Sequence, residues 1–373
     1  PWDWTGTSYV TDSLEYFATS SFAVGNFELF TRTVKNTNLS IAVFTGWRDS
    51  VRRDFAEYSF KLFDYLAGVF QAPAVPRHLC IYVPRLSNEQ NLCMEWSQSQ
   101  GVFVQANNLL SALSGYSHRV FHIYNAFPPI GMRIRGDEEE WTKEGINRYY
   151  QDDKCFVKIG LQKKHRFLIN LYREYETRYL GTKDDVPVSK VYIQDWVGDR
   201  DRATFFYFKK GALVAFMLDE LIRKVTGNKS LDDVLAYMYN EYGRYKKPQP
   251  YWPYGVESRE GYSNEDFLNV ISKITGQDFR WFFEAYVYGA KKFPLSIESN
   301  DLTINWQILL KEVRFFNVSL MTLRVSPLSV KTAETVELAA KLGDLDGKPI
   351  ANRTVAFYLN STRVGSVGTD MSG

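Results

Sequence analysis

Cysteine is scarce: the 373 residues hold 3, and Cys80, Cys93 and Cys155 include no Cys-x-x-Cys pair. This excludes a disulfide framework and a thiolate zinc knuckle, leaving a single Cys80–Cys93 bridge as an open alternative. Long apolar runs are missing too. The longest, Ala212 to Leu218, is far short of the about 18 to 20 residues that carry a helix across a bilayer. Neither charge sign prevails: 45 Lys and Arg against 43 Asp and Glu leave a formal +2. That excludes the dense basic surface a phosphate backbone demands, so nucleic acid is not an expected partner. A hydrophobic content of 45% excludes wholesale disorder. The first residues, Pro1-Trp-Asp-Trp4, lack an initiator Met and a basic-then-apolar leader; a mature chain or a fragment is expected, with any signal peptide removed or upstream. What is plentiful is aromatic: 24 Tyr, 26 Phe and 9 Trp. Asn-x-Ser/Thr sequons at Asn38, Asn228, Asn317, Asn352 and Asn360 point to an exported, cell-surface glycoprotein.

Hydrophobic periodicity divides the chain. Short β-prone runs, Phe22 to Phe30 and Leu39 to Phe44, read as strands. In residues 47–70 the apolar residues Val51, Phe55, Tyr58, Leu62, Tyr65 and Val69 recur at helical spacing and predict a long amphipathic helix, followed by a buried strand at Leu79 to Val83. Residues 109–125, 204–226, 230–242 and 263–275 are helical. Ser230 with Asp233 and Ser263 with Asp266 form capping boxes, and Gly243 and Gly276 are stops. After Pro294 apolar and polar residues alternate, and the helical stripes vanish. The expected organisation is a β-rich subdomain with one long helix over 1–105, a helical subdomain over 106–295, a β linker over 296–324 and a β module over 325–373. That last stretch, with Val336-Glu-Leu-Ala, Thr354-Val-Ala-Phe-Tyr and the turn Thr369-Asp-Met-Ser-Gly373, resembles the tandem immunoglobulin-like repeats of prokaryotic surface proteins. On that resemblance it is an incomplete Ig-like module.

Chemistry concentrates between residues 93 and 211. Of only 4 histidines, His118 and His122 stand four apart in a helical stretch, which puts both imidazoles on one face. Two surface or capping histidines would share that spacing. A carboxylate further along, Glu144, supplies the third ligand of an open catalytic zinc site. At these residues the sequence resembles the glycyl aminopeptidase-like branch of the gluzincin metallopeptidases. Its HExxH motif is matched by His118-Arg-Val-Phe-His122-Ile-Tyr-Asn125, and its Trp-x-x-Glu-Gly block by Trp141, Glu144, Gly145, Tyr149 and Tyr150. Phe17 to Gly25, Tyr207-Phe-Lys-Lys-Gly-Ala-Leu-Val214, Ser230 to Leu235, Tyr262 to Phe267 and Phe282 to Val287 follow in the family's order. The resemblance covers about residues 15–295. It implies an α+β, thermolysin-like fold with a small β-sheet and a mainly helical subdomain, followed here by the all-β region, and a zinc ion held by His118, His122 and Glu144.

The departures from the family bear on activity. Where it has a general-base glutamate, this chain has Arg119, whose guanidinium does not give up its proton and repels a cation. The family's oxyanion tyrosine aligns with Phe208, leaving the phenol of Tyr207 one residue off, on another helix face. The strand that binds a substrate's N-terminus reads Cys93-Met-Glu-Trp96, so Glu95 is kept and Trp96 replaces a histidine, while Ala126-Phe-Pro-Pro129 replaces basic residues. Arg119 is expected to fill the pocket or to pair with Glu144 or Glu95. Trp141, Tyr149 and Tyr150 are expected in the core, Asp137 to Glu140 as a solvated acidic loop, Lys246, Lys247, Lys291 and Lys292 as surface charge, and Tyr245 to Tyr254 as an ordered insertion near the cleft. The expected function is a catalytically degenerate aminopeptidase-like domain in a structural or binding role. Its partners would be other surface-protein subunits or copies of itself, joined through β modules in a surface layer or filament, or a peptide. The alternative is an active or weakly active zinc aminopeptidase using Glu95 or another carboxylate as base.

Overall fold

The structure is a computed structural model. It describes residues 24–72, 75–84, 99–105, 108–126, 131–191, 200–243 and 261–309, with the segments 3–4, 9–10, 93–95, 320–326, 337–343, 354–359 and 362–371 and residues 349 and 351. Two compact units are present. The first comprises Pro1–Phe293 with Ile297–Thr303, the second Pro294–Ser296 with Ile304–Gly373.

After a short antiparallel pair, Asp3–Trp4 with Tyr9–Val10, the first unit forms a hairpin of β1 (Phe27–Val34) and β2 (Thr37–Phe44), turned at Lys35 and Asn36, both at positive φ. In β2 alternate residues Leu39, Ile41 and Val43 are fully buried, so one face of the strand is committed to the core. Helix α1 (Asp49–Val69) lays its stripe of Phe55, Leu62 and Leu66 under the sheet, and β3 (Arg77–Pro84) returns parallel to β2. The Phe55 ring packs 4.8 Å from Tyr82, whose phenol shares a 2.7 Å hydrogen bond with Ser59, so the buried hydroxyl is satisfied. Strands β4 (Cys93–Glu95) and β5 (Ser99–Val104) complete a five-stranded sheet of order β1-β2-β3-β5-β4.

This order excludes the Cys80–Cys93 bridge. Cys80 on β3 pairs with Gln100 and Cys93 on β4 with Val102, so a whole strand lies between them. Two strand spacings are about 9.6 Å, beyond the about 7 Å that a disulfide spans. Neither Cys80 nor Cys155 is in a disulfide.

The helical part begins with α2 (Leu109–Asn125), capped by the Asn108 side chain on the Ser111 amide. It continues through α3 (141–158), α4 (Arg166–Arg178), α5 (200–226), α6 (Leu231–Tyr242), α7 (Asn264–Thr275) and α8 (280–287). The capping boxes at Ser230 and Ser263 are both formed, and Gly276 ends α7 at φ 69°. Helices α3, α5 and α8 contain wide, π-type turns, two in α3 and one in each of the others. Where α3 crosses α5, Gly145 meets Gly211 backbone to backbone; a Cβ on Gly145 would lie 2.7 Å from the Gly211 Cα and the Tyr207 carbonyl oxygen. Only glycine admits that approach. The apolar run from Ala212 to Leu218 is buried on all sides, which explains its lack of polar positions. Trp141, Tyr149 and Tyr150 are core residues, as expected.

The acidic run behaves differently from its expectation. Glu139 and Glu140 are buried rather than solvated. One Glu139 oxygen accepts the Asn264 amide at 3.0 Å and the other the Gly136 amide at 3.0 Å, so the residue caps α7 and closes its own turn.

Among its described residues the second unit has a short helical stretch at 306–309 and four strands in antiparallel pairs: Leu320–Ser326 with Glu337–Gly343, and Thr354–Leu359 with Thr362–Gly368, the latter irregular between Phe357 and Tyr358. Among the described residues the two hairpins do not pair with each other. No described helix is long and apolar enough to cross a membrane. Phe17 to Ala23, Trp96, Phe127 to Pro129, Tyr245 to Tyr254, Asn317, Asn352 and Asn360 lie outside the described residues, and of Glu95 only the strand position is described. Asn38 and Asn228 are exposed.

Candidate metal centre

Helix α2 presents His118 and His122 from one face, one turn apart, towards the first turn of α3, which carries Glu144. The two Nε2 atoms are 3.0 Å apart, and Glu144 Oε2 lies 3.2 Å from His122 Nε2 and 3.6 Å from His118 Nε2. These side chains are 14%, 2% and 11% exposed for His118, His122 and Glu144, so water does little to screen the cluster.

The residues behind the imidazoles fix which nitrogen carries the proton. Asn125 donates its amide N–H to the Lys143 carbonyl at 2.9 Å, so its oxygen faces His122 Nδ1 at 3.0 Å and must accept from it. Gln151 is oriented in the same way. Ser114 donates to Asp152 Oδ1 at 2.6 Å, Gln151 donates to the Ser114 hydroxyl, and the Gln151 oxygen therefore faces His118 Nδ1 at 2.9 Å as an acceptor. Arg148 closes this chain on Asp152 at 2.9 Å. Both imidazoles are thus Nδ1–H tautomers with Nε2 lone pairs turned to Glu144. Burial, and then the neighbouring His122, push the His118 pKa down to about 3, which keeps that ring a neutral donor. Burial pushes the Glu144 carboxyl up, but its contacts with the His122 ring and the Lys143 ammonium outweigh burial and hold the group well below its ordinary range.

Three lone pairs therefore converge on one point, and Glu144 Oε2 accepts no hydrogen bond. A tetrahedral zinc ion with ligand bonds near 2.0–2.2 Å needs donors about 3.3–3.5 Å apart. The observed 3.0, 3.2 and 3.6 Å separations bracket that value, so these residues fit such an ion. This is the one group of three or more His, Cys, Asp or Glu side chains among the described residues that could hold a metal.

The remaining predicted residues are distributed as follows. Phe208, in the wide turn of α5, stacks its ring 6.2 Å from the His118 imidazole, so an apolar surface stands beside the first ligand. Tyr207 is buried, and its phenol is pushed up first by burial and then by the Glu140 and Glu144 carboxylates, which places it in the field of the same cluster. Arg119 is half-buried, with its Nε closed off from solvent. The Lys143 ammonium stands against Glu144, 3.4 Å from its Oε1 and 3.2 Å from Glu140 Oε2. Sequence reasoning missed Lys143, Glu140 and Gln151. The only available signal was Lys143 standing directly before the candidate ligand; Gln151 sits two helical turns beyond it, on the same face.

No family model matches the sequence, and no curated protein does. Solved structures do resemble it. An aminopeptidase N family protein from Idiomarina loihiensis superimposes with a TM-score of 0.57 at 16% identity, over 83% of this chain and 53% of that one. An M1 zinc metallopeptidase from Deinococcus radiodurans gives 0.48 at 11%, over 72% of this chain and 53% of its own. The chain thus spans about half the length of these proteins. What it shares with the Idiomarina protein is the fold of an aminopeptidase N family protein.

Proposed function

We propose that this chain is a zinc-binding, peptidase-like domain that binds rather than cleaves, in an exported surface protein. The observation that carries the metal reading is the convergence of His118 Nε2, His122 Nε2 and Glu144 Oε2 at separations a zinc ion requires. Bound there, zinc would polarise a carbonyl oxygen and acidify a water molecule. The chain's own residues do not complete that chemistry. Arg119 follows His118 where a carboxylate would take the proton, and losing a general base costs about 10²–10⁴ in rate. Phe208 presents a ring without a hydroxyl beside His118, so no phenol at that position donates to a developing oxyanion.

The surface role rests on the exposed sequons Asn38 and Asn228 and on the antiparallel strand pairs of the second unit, whose β modules would join subunits or copies of this chain by sharing edge strands. A peptide is the ligand class proposed for the metal centre.

The test is elemental analysis of the full chain purified without added metal or chelator, with assays on glycyl and alanyl amides. The expected result is about one zinc per chain without chelator-sensitive hydrolysis, and a weak gain of hydrolysis in Arg119→Glu combined with Phe208→Tyr. Chelator-sensitive hydrolysis by the unaltered protein would replace this reading with an active aminopeptidase. Glycan at Asn38 and assembly at high concentration test the surface role; a strictly monomeric, unmodified exported protein would overturn it.

A further inference from the structure

Lys143 is a second cation aimed at a metal ligand, and no part of the proposed chemistry uses it. Its ammonium stands 3.4 Å from Glu144 Oε1, while Glu144 Oε2 is the oxygen turned to the two imidazoles. One carboxylate therefore has its two oxygens engaged by two different cation positions. On its other side Lys143 meets both oxygens of Glu140, at 3.3 and 3.2 Å. The Glu140 side chain is 5% exposed and Lys143 22%, so the pair sits at the lip of the cluster with little screening. Asn125, the partner of His122, holds the Lys143 carbonyl, which ties this residue's backbone to the ligand helix.

We propose that Lys143 is a built-in competitor of the metal, and that Glu140 sets how strongly it competes. This rests on the metal-site reading above. The ammonium neutralises Glu144, so the folded site tolerates three converging acceptors without a divalent cation. It also draws charge from the ligand carboxylate and repels an incoming cation across a poorly screened gap. Glu140 counteracts both effects, since its carboxylate shares the same ammonium. The centre is therefore tuned for reversible metal uptake rather than for a permanently filled structural site.

Zinc and cobalt affinities, measured by chelator competition on the full chain, test this with variants of opposite expected sign. Lys143→Gln should tighten zinc binding by roughly tenfold or more, because a full charge within a few ångströms of a buried site is removed. Glu140→Gln, of the same shape, should weaken it by roughly the same factor, because the Glu140 carboxylate then no longer offsets the ammonium beside Glu144. Lys143→Arg, which keeps the charge, should stay near the unaltered protein, and thermal melts of each variant establish that it is folded. Equal affinities for all four proteins, with loss in His118→Ala, would overturn the competitor while leaving the metal site standing. Weaker binding in Lys143→Gln would make Lys143 a clamp that positions Glu144, and would equally overturn it. No zinc bound by any of the folded proteins would overturn the inference together with the metal-site reading.

Discussion

Helix α3 carries two buried polar clusters ten residues apart, and they are built on opposite principles. At residue 154 a lysine lies among acceptors: Nζ is 3.2 Å from Asp219, 2.5 Å from Asp232 and 3.1 Å from the Tyr150 phenol, while Tyr149 donates to Asp219 at 2.9 Å. The Leu231 amide also donates to Asp219, at 2.8 Å, so the network pins the start of α6. This cluster supplies its own cation at its centre. At residue 144 the centre is a meeting of three lone pairs, and the Lys143 ammonium approaches from the outside. A buried network that stabilises a fold is closed upon itself, whereas one that binds a ligand leaves its central charge to be supplied.

The comparison can be broken at either end. Lys154→Met removes the central cation and leaves Asp219 and Asp232 short of charge; a loss of about 3 kcal/mol or more in denaturant-measured stability is expected, with zinc affinity unchanged. Glu144→Gln should do the reverse, abolishing measurable zinc binding while costing about 1 kcal/mol in the metal-free protein, since its Oε2 accepts no hydrogen bond. Equal stability losses for the two variants would erase the distinction.

Asp153, between the clusters, offers a pH test. Burial pushes its carboxyl up to about 7, against which Lys164 and the His165 amide act only in part. A carboxyl raised in the folded state is favourable while protonated, so the stability it confers is complete below pH of about 4, its unfolded value, and is lost as pH rises to about 7. Asp153→Asn should therefore stabilise the protein by roughly 2–3 kcal/mol at pH 8 and leave it nearly unchanged at pH 4, read from melts at both pH values. A gain independent of pH would show that ionisation of Asp153 is not the cause.

A smaller effect sharpens the site itself. Gln151→Ala and Asn125→Ala free the Nδ1 hydrogens they now hold, and each should weaken zinc binding by about 10- to 100-fold. An unchanged affinity would mean that the helix backbone alone orients the imidazoles.

Local signals were legible where local physics decides. The period of α1, the capping boxes at Ser230 and Ser263 and the alternation in β2 each require only neighbours in sequence, and each is present. Helix α3 was not delimited, because Glu144, Asn147, Gln151, Asp152 and Asp153 are buried polar residues that interrupt an apolar stripe. Their burial makes sense only once partners on α2 are in place. The acidic run was misjudged for the same reason. Its carboxylates answer to the Asn264 amide and to Lys143, and the first of these is remote in sequence.

By itself, the sequence determined the candidate donor set: two imidazoles a turn apart on one helix and a carboxylate further along the chain. It did so because i, i+4 spacing is a property of any helix. Only the tertiary structure decided that the three donors meet, that amides rather than carboxylates hold the imidazoles, and that Lys143 bears on Glu144. Those depend on α2 crossing α3 at one depth and on Gly145 touching Gly211, and both are set by packing between residues far apart along the chain.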